Sequence, residues 1–183
     1  MDREEALNIL TKYNKNKNLV KHGIAVEGVM RHFAKIQDEN VEYWGAIGLL
    51  HDVDYEMYPE EHCVKCVEIL KTEGVSDEMS RSIQSHGYGI CSDVAPEKLM
   101  EKVLFTIDEL TGLIIATALM KPNKTLAEVD LISVNKKFKK KDFAAGVDRD
   151  IIKKGAEMLG MELDYIIEQT LVGMQNISDD LGL

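Results

Sequence analysis

The sequence predicts an all-α domain, and three observations carry that prediction. Apolar residues recur at three- and four-residue steps almost throughout. No stretch alternates apolar and polar side chains for long enough to form a strand, and the three prolines all fall between the periodic segments. With 183 residues, 45% of them apolar, the chain suits a single domain over 1–183 with a sizeable core. About eight or nine helices are expected.

In chain order, the pattern gives helices over 2–14 and 17–37. The second is marked by a core-facing series of Leu19, Val20, Ile24, Val26, Val29, Met30 and Phe33. A third, over 40–52, holds the apolar run 44–50. Pro59 and Pro96 suit first-turn positions, followed by Glu60, Glu61 and Glu97, whose charge favours a helix N-terminus. Helices over 59–73 and 96–120 are therefore expected. Between them Ser76 is placed to cap a helix over 77–87. Pro122 closes the 96–120 segment, and Thr125 with Glu128 has capping-box form at the start of 125–138. Periodic segments over 142–159 and 162–177 complete the set.

Charge and cysteine content narrow the function classes. There are 22 Lys+Arg against 32 Asp+Glu, a net −10, which argues against binding a nucleic acid polymer or an anionic membrane. The longest apolar stretch, 113–120, falls far short of the roughly 20 residues of a membrane helix. Three cysteines make a disulfide scaffold unexpected and suit a reducing, cytoplasmic setting. The charged start Met1-Asp2-Arg3-Glu4-Glu5 has no apolar run behind it, so no signal peptide is expected. Within 121–154, ten basic residues stand against five acidic ones, densest at Lys136-Lys137-Phe138-Lys139-Lys140-Lys141. That stretch reads as a solvated helix end, or as a rim that attracts a small phosphate.

The residues most able to carry chemistry are four. His51-Asp52 follows the apolar run 44–50, where a buried imidazole and carboxylate need partners or a ligand. His22 lies in the second helix. Asp108 lies among Phe105, Ile107, Leu110 and Leu113, which also leaves a carboxylate in need of a partner. Together they could hold one borderline or hard divalent ion: Fe, Mn, Zn, Ni or Mg.

The pattern His22, His51-Asp52, Asp108 resembles the HD-domain superfamily of metal-dependent phosphohydrolases, with the likeness running over 18–120. The resemblance implies an HD-domain helical bundle with its metal site between helices, and His51, Asp52 and Asp108 as catalytic residues. Residues 121–183 would be a C-terminal helical extension packed on that core, or an interface of a homo-oligomer. Two further histidines, His62 and His86, match the expanded ligand set of some subfamilies. By that resemblance His22, His51, Asp52 and Asp108 hold a first metal, and His62 and His86 a second, with Asp52 bridging. Read without it, His62 suits a helix surface and His86 a helix C-terminus. His32, ten residues after His22, reads as structural or surface.

The implied activity is hydrolysis of a small phosphate ester, such as a nucleotide or another phosphorylated metabolite, by metal-activated water. Arg81, Lys121, Lys136 and Lys137 are candidate substrate contacts. A di-iron oxygenase and a non-catalytic signalling domain remain alternatives. The chain also departs from its apparent relatives: Val53-Asp54-Tyr55 follows the HD pair where many have Ile-Gly and then Lys. His86-Gly87-Tyr88-Gly89 is not the Gly-Tyr-Pro signature of cyclic di-GMP phosphodiesterases. The Glu-Asp pair of the guanosine tetraphosphate hydrolases is also missing. Cys63 and Cys66 form a C-x-x-C within an expected helix and read as buried small apolar residues, with Cys66 as an unusual ligand the alternative. Tyr55, Tyr58 and Tyr88 read as packing residues or as pocket lining.

Overall fold

Short polar side chains start most of the helices. Asp2 forms a capping box with Glu5 at α1 (Arg3–Tyr13), Asn16 caps α2 (Lys17–Ile36), and Asn40 accepts the Tyr43 N–H at α3 (Val41–Leu50). The computed structural model describes residues 1–183. It continues with α4 (Lys65–Thr72), α5 (Asp77–Gln84), α6 (Leu99–Leu119), α7 (Leu131–Phe138), α8 (Arg149–Leu159), α9 (Leu163–Gln175) and a single turn, α10 (Ser178–Leu181). There is no β-strand, only an isolated bridge between Tyr88 and Ser92. The expected all-α class is what forms, with the extra turn α10 outside the predicted segments.

Two long helices organise the rest. α2 packs against α3, α6 and α9, and α6 packs against α2, α7, α8 and α9. Their buried faces carry Val26, Val29, Met30 and Phe33 on α2, and Val103, Leu104, Ile107, Leu110 and Leu113 on α6. Each fully buried side chain of this size contributes roughly 1.5–3 kcal/mol of transfer free energy. Packing therefore outweighs helix propensity in fixing where these helices lie. α3 is apolar around most of its circumference because it is buried from Trp44 to Leu50. It sits so close to α2 that a Cβ on Gly48 would lie 3.1 Å from the Glu27 backbone.

Several predicted helices are shorter than their periodicity suggests, each for a local reason. The 59–73 segment divides into a 3-10 turn (Pro59–Glu61) and α4, because Cys63 adopts φ 66, which interrupts a right-handed helix. The 96–120 helix starts at Leu99, since the Glu101 carboxylate accepts the N–H groups of Glu97 and Lys98 and so caps the chain there. Thr125 makes no capping bond. Asp130 instead forms the box, with Ser133, that opens α7 after a 3-10 turn (Leu126–Glu128). The 142–159 segment is helical only from Arg149, whose guanidinium binds the carbonyls of Phe138, Lys140, Phe143, Ala144 and Val147 and holds that stretch as turns. α3 ends at Leu50 and α5 at Gln84, so His51 and His86 lie in the turns that follow them. Ser76 caps α5 as expected.

Candidate metal centre

His22, Asp52, His62, His86 and Asp108 line one cavity of about 410 Å³, and His51 lies fully buried behind them with its Nε2 3.1 Å from His22 Nε2. α2 brings His22, the turn after α3 brings His51 and Asp52, and α6 brings Asp108. His62 comes from the break before α4 and His86 from the 3-10 turn after α5 (Ser85–Gly87).

Within the cavity the donors divide into two sets. His22 Nε2 lies 2.9 Å from Asp108 Oδ1, 3.1 Å from His51 Nε2 and 3.6 Å from Asp52 Oδ2. His51 Nε2 is 3.4 Å from both Asp52 Oδ2 and Asp108 Oδ1. In the other set, His62 Nε2 and His86 Nε2 are 3.2 Å apart, and each is 3.4 Å from Asp52 Oδ1. Asp52 therefore turns one oxygen to each set. Ligands about 2.0–2.2 Å from one cation lie roughly 3.0–3.5 Å from each other, so both spacings suit a metal ion.

Proton positions strengthen that fit. His51 Nδ1 donates to the Gly48 carbonyl at 2.8 Å and His86 Nδ1 to the Ile83 carbonyl at 2.6 Å. His62 Nδ1 donates to Asp54 Oδ1 at 2.7 Å. A carbonyl can only accept, so Nδ1 carries the proton in His51 and His86, and in the neutral form of each ring Nε2 is the nitrogen left free to bind a metal. The Nε2 atoms of His62 and His86 face each other at 3.2 Å, a separation that a shared metal ion or one bridging proton fits. On the other side Thr111 Oγ1 sits 3.5 Å from His22 Nδ1 and donates to the Asp108 carbonyl at 2.7 Å.

Electrostatics follow from this crowding. Burial opposes ionisation of Asp52 and Asp108, yet His51 and the neighbouring imidazoles hold both well below the usual carboxylate range. Burial also disfavours the His51 cation, but Asp52 and Asp108 together push its pKa well above the usual value. Two anionic carboxylates among four imidazoles form a set that a divalent cation neutralises. Glu109 lines the same cavity, and burial, followed by the charge of Asp108, raises its pKa to about 7.

The predicted substrate contacts lie elsewhere. Arg81 is bound to Glu101, Glu97 and the Ala95 carbonyl, and neither it nor Lys121, Lys136 or Lys137 lines the cavity. Lys137 instead lies 4.3 Å from the Phe143 ring centroid. The cation beside the site is Lys154 of α8, 4.4 Å from the Tyr88 centroid and 5.6 Å from that of Phe105, which lines the cavity. Tyr55 lines it too and meets His62 edge-on, while Tyr58 packs against the core. His32 binds Gln169 of α9 at 2.8 Å, a structural role.

Sequence reasoning missed four contributors. In the sequence Asp54 shows only as a departure two positions after the HD pair, yet it is fully buried and orients His62. Thr111 follows Asp108 by three residues, the spacing of one helical face, which was the available signal. Val147 and Ile151 line the cavity from the C-terminal third, and nothing local in the sequence marks them. Compared with known proteins, the chain matches no family model, no curated protein and no solved structure.

Proposed function

We propose that this chain is a metal-dependent phosphohydrolase of the HD-domain type, acting on a small phosphate ester. The observation that carries the reading is the division of Asp52: Oδ2 faces His22 and His51, while Oδ1 faces His62 and His86. A carboxylate placed this way suits a bridging role between two divalent ions. When bound, such ions polarise a phosphoryl oxygen and lower the pKa of water, the chemistry that ester hydrolysis requires.

The chain's own groups complete the proposal. Gly48, Ile83 and Asp54 fix the imidazole tautomers, so the nitrogen donors are oriented in advance. Leu19, Phe105 and Ile151 wall the cavity with apolar surface, which limits water and offers contact area to the organic part of an ester. Lys154, in no ion pair with a carboxylate, supplies positive charge beside a site whose own residues are acidic. Cys63, Cys66 and Cys91 are left as free thiols, and no serine is needed as a nucleophile.

The test is metal analysis of the purified protein, then a panel of phosphomonoesters and phosphodiesters assayed with and without oxygen. The expected result is metal-dependent phosphate-ester cleavage that proceeds anaerobically and is abolished in Asp52→Ala. Equal rates in metal-free and metal-loaded protein would overturn the mechanism. Turnover that requires oxygen would replace it with the oxygenase reading.

A further inference from the structure

The C-x-x-C spacing points to Cys63 and Cys66 as a pair, but the fold separates their roles. Cys66 is fully buried in α4, and its thiol donates to the Cys63 carbonyl at 3.1 Å. The left-handed backbone at Cys63, φ 66, turns that residue's sulfur the other way, to within 2.7 Å of Cys91 Sγ. Gly87 makes the room: a Cβ there would collide with both sulfurs. Cys91 lines the cavity and is half-buried, whereas Cys63 is shielded behind it.

We infer that Cys63 and Cys91 are a modification site, a thiol pair that a peroxide converts to a reversible disulfide. The more accessible partner, half-buried Cys91, reacts first. Cys91 sulfur attacks one peroxide oxygen, the O–O bond breaks, and a sulfenic acid forms with release of one water, or one alcohol from an alkyl peroxide. Cys63 sulfur then attacks Cys91 sulfur, the S–O bond breaks, and a second molecule leaves as water. Two electrons pass from the two thiols to the peroxide, and both thiol protons leave in the products. The sulfurs need to close only from 2.7 Å to the roughly 2.05 Å of a disulfide. The resulting bond ties the turn that carries His62 to the loop that follows His86, so it crosses the wall of the second donor set.

This inference is independent of the phosphohydrolase reading, and its test needs no substrate. The full-length protein is treated with hydrogen peroxide, quenched with an alkylating agent and mapped by mass spectrometry. One disulfide within the chain is expected, joining the peptides of Cys63 and Cys91, with Cys66 alkylated and all three thiols recovered after dithiothreitol. Cys66→Ser keeps the bond, while Cys63→Ser and Cys91→Ser each abolish it. A Cys63–Cys66 bond, a bond between chains, or oxidation of Cys91 to sulfinic acid without any disulfide would overturn the proposal.

Discussion

Asp54 Oδ1 accepts the Nδ1 proton of His62 at 2.7 Å, while Asp54 Oδ2 accepts the Cys66 backbone N–H, also at 2.7 Å. One fully buried carboxylate thus orients a candidate ligand and caps the first turn of α4. Asp54→Asn can keep the bond to Cys66 N–H through its amide oxygen, but then presents an NH₂ donor to His62. Two donors would face each other, so His62 moves its proton to Nε2 and loses the lone pair aimed into the cavity. Metal affinity at that set is expected to fall by about 10–100-fold, read by calorimetric titration, with the helical circular dichroism unchanged.

Metal binding should also register as stability. An ion held only by the folded state adds about 2.7 kcal/mol at 100 times its Kd, which for a domain of this size is roughly 5–11 °C in Tm. A chelator should remove that increment from the wild-type protein. In Asp52→Ala, where each donor set loses the Asp52 oxygen turned to it, the difference between metal-loaded and chelated protein should largely vanish. Differential scanning calorimetry on the two proteins decides it.

Lys154 rests over Tyr88, whereas Lys136 and Lys137 stand away from the cavity. On the proposed phosphohydrolase reading, Lys154→Ala should raise the KM for a cleaved ester by up to about 5-fold, the scale of one exposed charge interaction, with kcat nearly constant. Lys136→Ala and Lys137→Ala should leave both parameters unchanged. Steady-state kinetics at low ionic strength, where screening is weakest, gives the clearest comparison.

Acid should weaken the fold through Glu101. Burial alone would raise its pKa, but the Glu97 N–H, Arg81, the Lys98 N–H and Ser82 outweigh that and leave it below the ordinary value. A carboxylate lowered in the folded state contributes stability that is present above its unfolded pKa, near 4.3, and is lost as pH falls through the folded value. Urea unfolding at neutral pH and below pH 4 should therefore show a loss that is smaller in Glu101→Gln. An equal loss in that variant would place the acid sensitivity elsewhere.

How far the sequence reaches differs between the fold and the site. The long helices α2 and α6 were legible because their apolar faces repeat at helical period over five turns or more. The breaks at Cys63 and before Arg149 were not, since each depends on hydrogen bonds to residues that periodicity does not see. His22, His51, Asp52 and Asp108 stood out because imidazoles and carboxylates within apolar helices need partners. Arg81 was misjudged for the opposite reason, as its charge is fully engaged by Glu101 and Glu97.

By itself the sequence determined the all-α class, the positions of most helices and the types of donor that could meet, because helical periodicity and the cost of burying polar groups act locally. Only the tertiary structure decided the pairings. Asp52 divides between two imidazole pairs, Cys63 meets Cys91 rather than Cys66, and Lys154 rests on the Tyr88 and Phe105 rings beside the cavity while Lys136 and Lys137 do not. Each pairing joins residues far apart in the chain, and its geometry is set by where a turn breaks and which helix faces close. A left-handed residue at Cys63 or a buried carboxylate at Asp54 sets where a side chain points, and neither leaves a periodic trace in the sequence.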